Sequence, residues 1–94
     1  MLSEFVISLL STACVISGQV TWSDTKTSAD LRATCPIDYH MEGTTLLLKS
    51  HHWIVEVGIP EETGIQSFVY RWGQSAAHVG DHTVPISYGP VDGI

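Results

Sequence analysis

Two β-rich runs, residues 53–59 and 65–72, flank Pro60-Glu61-Glu62-Thr63-Gly64, and this arrangement constrains the fold more than any other part of the chain. In both arms apolar and polar residues tend to alternate, the period of a pleated strand with one face in a core. A proline followed by Thr-Gly fits a five-residue hairpin loop in which Gly64 takes a positive φ. Along the second arm Phe68, Tyr70 and Trp72 share one face, while Val69 and Arg71 share the other. Setting Ile59 opposite Ile65 places Trp53 across from Arg71 as a cation–π pair.

Strand formers continue on both sides of this hairpin. Residues 19–23 form a short strand candidate with Val20 and Trp22 on one face. The polar stretch 24–30 reads as a loop, and residues 31–35 as a strand or a single helical turn ended by Pro36. Residues 37–43 read as loop, 44–49 as strand, 73–81 as loop and 83–88 as a last strand. Pro85 places that last strand at a sheet edge, because proline has no N–H for a second neighbour.

The segment before residue 19 differs. It admits two readings, a secretory signal peptide or a retained amphipathic helix over Leu2 to Gly18. The apolar run from Phe5 to Ile16 suits a signal, but no Lys or Arg precedes it and Glu4 stands there instead. Wound at about 100° per residue, Glu4, Ser8, Ser11 and Thr12 fall on one narrow polar stripe. Ser3 suits the N-cap and Gly18 the position past the end. A signal peptide needs no segregated stripe, whereas a helix packed on a core does. The expectation is an α+β fold, an N-terminal helix on a small antiparallel β-sheet. If residues 1–18 are removed, the alternative is a small all-β sandwich or barrel.

Composition sets the outer bounds. The chain has 94 residues, one domain's worth, of which 44% are hydrophobic and 15% charged, so a packed core is expected. Residues 1–94 are read as a single domain, with 1–18 the helix or signal segment and 19–94 a β-rich body. Ten acidic against four basic residues give a formal charge of −6. That balance argues against nucleic acid, whose phosphates demand clustered Lys and Arg, and against a polybasic membrane-surface helix. No run of apolar residues is long enough for a transmembrane helix. The two cysteines, Cys14 and Cys35, are too few for a disulfide scaffold but could form one bridge in an exported chain. Export follows if residues 1–18 are a signal peptide; otherwise the protein is intracellular.

Among residues that carry chemistry, the histidines stand out. His78 and His82 have metal-ligand spacing for a helix, but Val79-Gly80-Asp81 between them disfavours one. His51 and His52 are adjacent, and with Glu56, His78 and His82 they could converge on a divalent transition metal in a β-barrel. His51, His52 and Glu56, followed by Gly80-Asp81 and Pro85, resemble fragments of the two cupin motifs, and the resemblance implies a small metal-binding barrel over residues 43–89. The family's His-x-His is replaced by His51-His52, and no histidine follows Pro85 where the second motif requires one. Two expected ligands are therefore missing, and the chain is not assigned to that family. No Gly-x-Ser-x-Gly elbow and no phosphate loop is present.

The chain therefore reads as a small non-enzymatic interaction or assembly module, without a cofactor, that binds a protein partner or its own copy through a sheet face or edge. Trp53, Phe68, Tyr70, Arg71 and Trp72 are the candidate interaction residues. The alternative is the cupin-like metal-binding barrel.

Overall fold

The computed structural model describes residues 14–90. They form eight strands, β1 (Val15–Trp22), β2 (Thr27–Ala33), β3 (Asp38–Glu42), β4 (Thr45–Lys49), β5 (Trp53–Gly58), β6 (Gly64–Arg71), β7 (Ala76–Val79) and β8 (His82–Pro90). The strands join antiparallel in the order β2-β1-β6-β7-β8-β5-β4-β3, a nearly closed barrel. The strand β8 is the fold line. Its first half, His82 to Pro85, pairs with β7, and its second half, Ile86 to Pro90, pairs with β5.

No helix occurs among the described residues, so the α+β expectation is overturned. Residues 1–13 of the expected helix lie outside the described part, but from Val15 the chain is strand. The reason is visible at Ile16 and Val20, both buried. A spacing of four satisfies a helix face and also an alternating strand face, and the β-branched Val15, Ile16, Val20 and Thr21 decide for the strand. The all-β barrel fits instead, and it uses residues 15–18, which that alternative had removed.

The expected hairpin is also corrected. The strands β5 and β6 do not pair: β5 lies between β4 and β8, and β6 between β1 and β7. Ile59, only 5% exposed, anchors the crossing segment in the core, and its N–H donates to the Thr44 carbonyl at 2.8 Å. The chain thus passes from one half of the barrel to the other rather than turning back. Trp53 stands opposite Pro90, and Arg71 opposite Val15, so the cation–π pair falls. Gly64 does adopt a positive φ of 110° at the end of that crossing.

Three stretches expected as loops contain strands. The strands β2, β3 and β7 begin inside residues 24–30, 37–43 and 73–81. In β2 the exposed Ser28, Asp30 and Arg32 alternate with half-buried Thr27, Ala29, Leu31 and Ala33, so a strand wetted on one face has the composition of a loop. Pro85 is not on a sheet edge, yet the rule behind that expectation still holds. Ile86 donates its N–H to the Ser75 carbonyl at 3.2 Å, so the alternation turns the Pro85 nitrogen towards β5, whose pairing starts only at Ile86.

Inward positions of both halves make one core of Ile16, Val20, Leu46, Leu48, Val55, Val57, Ile59, Phe68, Tyr70, Ala77 and Val79. Gly18 permits a close backbone approach between β1 and β2. With φ at 152° it faces Leu31 of β2, and a Cβ there would lie 2.8 Å from the Leu31 Cα and closer still to the Asp30 carbonyl oxygen. A disulfide joins Cys14, at the head of β1, to Cys35 in the β2–β3 connection.

Candidate functional site

The sheet brings Tyr70, Trp72, Tyr88 and Trp53 to one end of the barrel. β6 delivers Tyr70 inward, fully buried, and the chain then leaves the strand at Trp72 and turns through Gly73, whose φ is 103°. Tyr88 comes from the far half of β8. The hydroxyls of Tyr70 and Tyr88 meet at 2.5 Å, and both reach the Gln74 carbonyl, at 3.2 and 2.7 Å respectively. The Gly73 N–H donates to the Tyr70 hydroxyl at 3.3 Å. One hydroxyl therefore donates to the carbonyl and the other to its neighbour. Burial, reinforced by the Tyr88 hydrogen bond, holds the Tyr70 hydroxyl neutral well above the usual tyrosine range.

Rings pack edge to face around this network. Trp72 meets Tyr70 with centroids 6.1 Å apart and Tyr88 at 6.5 Å. Trp53 lies diagonally across the β5–β8 ladder from Tyr88, because Tyr88 stands opposite Val55 and Trp53 opposite Pro90. The cluster opens to solvent at Trp53, 49% exposed, and Tyr88, 43% exposed, while Trp72 is half-buried.

The residues named as an interaction face are thus divided. Phe68 and Tyr70 belong to the core, Trp53 and Trp72 to the aromatic end, and Arg71 points out from the opposite side of β6. The outer side of β6 instead exposes Ile65 and Val69. Tyr88 and Gln74 were missed. The alternation of Val84, Ile86 and Tyr88 was a signal for the first, whereas Gln74 contributes only a backbone carbonyl and left none.

The histidines are not brought together. His51 and His52 form the tip of the β4–β5 turn, closed by the Ser50 N–H to the Trp53 carbonyl at 2.9 Å. His82 starts β8, whose opposite end, Pro90, pairs with Trp53 beside that turn. Eight residues of strand at about 3.3 Å each separate the two histidine pairs by about 26 Å. His78 and Glu56 point outward from β7 and β5. His82 instead meets Glu62 at 3.2 Å, tying the β5–β6 crossing to the β7–β8 turn. Among the described residues no group of three or more His, Cys, Asp or Glu could hold a metal ion. A nearly closed barrel sends the two turns to opposite ends, so the structure does not gather His51, His52, Glu56, His78 and His82 at one point. Nor is any helix among the described residues long and apolar enough to cross a membrane.

The chain matches no protein-family model, no curated protein and no solved structure.

Proposed function

We propose that this protein is a small interaction module that works by contact rather than turnover, and that its contact surface is the aromatic end of the barrel. The observation that carries this reading is the half-exposed pair Trp53 and Tyr88, in which Tyr88 is backed by Trp72 and fixed by its hydrogen bond to the Gln74 carbonyl. Tryptophan and tyrosine dominate interface hot spots, because they bury large area at low cost in side-chain entropy. Rings already held in place lose little further freedom on binding. The partner is a protein offering an apolar pocket or strip.

Capture from source extracts with the intact chain and with Trp53→Ala and Tyr88→Ala variants tests the proposal. A partner retained by the intact chain is expected to be lost from both variants, while Ile65→Ala, altered on the outer side of β6, retains it. Equal capture by all four chains, with circular dichroism showing each folded, would refute an aromatic contact site.

A further inference from the structure

Beyond the aromatic end, the outer sides of the two barrel halves carry opposite charge. On β2, β1 and β6, Arg32 and Arg71 are opposed by Asp30; on β3, β4 and β5, Asp38, Glu42 and Glu56 are opposed by Lys49, with the His40 imidazole 3.6 Å from Glu42. We propose that these faces bind each other between copies, giving an open-ended, head-to-tail stack.

Register supports the fit. Arg32 stands opposite Ser17, and Ser17 opposite Val69, with Arg71 two residues further along β6. On the other half Glu42 stands opposite Thr45, and Thr45 opposite Gly58, two residues along β5 from Glu56. Each pair is thus two strands and two residues apart, about 12 Å for strands about 4.8 Å apart rising about 3.3 Å per residue. Viewed from outside with β2 pointing up, the arginine diagonal rises from β2 to β6, and the glutamate diagonal falls from β5 to β3. Opposite hands are the condition for two surfaces to coincide face to face with strands aligned. Superposed so, Arg71 meets Glu56, Arg32 meets Glu42, and the half-buried Leu47 meets the half-buried Val15.

The contact is heterologous, so each added copy leaves one free face of each kind, and the stack extends wherever the rotation between copies does not close it into a ring. It runs through the barrel walls and leaves the aromatic end clear. The wall contact and the aromatic contact therefore fail or stand separately.

Sedimentation velocity on the full chain decides the matter. At about 0.01 M salt, where charges act over about 30 Å, the weight-average mass is expected to climb with concentration without a plateau, and to fall to the monomer at about 1 M. Arg71→Glu and Glu56→Arg are each expected to give monomers, and the R71E/E56R chain to stack again, because the swapped charges still meet. Trp53→Ala is expected to stack as the unmodified chain does. Thermal unfolding of each variant verifies the fold. A monomer at every concentration, a dimer that grows no further, stacking indifferent to Arg71→Glu, or a double variant that stays monomeric would each overturn the proposal.

Discussion

Leu31 donates its backbone N–H to the Tyr39 hydroxyl at 3.1 Å, across the seam between β2 and β3 that no strand pairing closes. The side chain of one edge strand thus occupies a donor on the other, where an unpaired edge would otherwise invite another chain. Tyr39→Phe removes only the hydroxyl. We expect it to cost about 1 kcal/mol in denaturant unfolding, and to speed hydrogen exchange at the Leu31 amide more than at amides of β6.

Gly18 is the next test. An alanine there meets the Asp30 carbonyl and the Leu31 Cα, and takes a φ that L-residues avoid. Either β2 separates from β1 or the ladder distorts, and we expect Gly18→Ala to cost about 2 kcal/mol or more. Gly43→Ala, where a Cβ meets nothing within 4 Å at a φ of 66°, carries only the backbone strain and is expected to cost less. Equal losses in urea titrations would show that the close approach at Gly18 has no weight.

These positions also mark what the sequence could and could not disclose. An apolar, β-forming run located β4 and alternation located β5, and Leu46, Leu48, Val55 and Val57 all turn into the core. It could not name their neighbours. A strand's period says which side faces inward, not which strand lies beside it, so the runs around Pro60 suggested a hairpin that the buried Ile59 turns into a crossing. The first half of β2 and all of β3 read as loop because their exposed positions are polar, while residues 31–35 kept a strand reading that overlaps the end of β2. The aromatic end was half legible: Trp72 was read on the side of Phe68 and Tyr70, where it lies, but Trp53 was set across from Arg71 rather than from Pro90. Whether an inward aromatic is core or exposed depends on how near the end of the barrel it lies, as Tyr70 and Tyr88 illustrate.

The Cys14–Cys35 disulfide closes a loop with a sequence separation of 21. Loop-closure entropy for that length is worth about 3 kcal/mol. We expect Cys14→Ser/Cys35→Ser to lose about that much stability, with hydrogen exchange rising first at the Thr34 and Ile37 amides beside the bridge. Unmodified protein unfolded with and without a dithiol reductant is expected to show the same difference. Coincident unfolding curves would place the restraint in the Val15–Thr34 hydrogen bonds, both 3.0 Å, rather than in the bridge.

Tyr70 gives the protein an alkaline limit. Its hydroxyl is held neutral in the fold, first by burial and then by the Tyr88 hydrogen bond, whereas in the unfolded chain it ionises near its ordinary value of 10.0. The unfolded state therefore releases this proton first as pH rises, so the Tyr70 contribution to stability is complete below about pH 10 and declines above it. Unfolding free energy measured from pH 8 to 11.5 is expected to fall over the upper part of that range. Tyr70→Phe lowers stability at neutral pH by about 1 kcal/mol, through the lost hydrogen bonds with Tyr88 and the Gly73 N–H, and makes the alkaline decline shallower. A variant whose stability falls with pH as steeply as the unmodified chain would assign the alkaline loss to other groups.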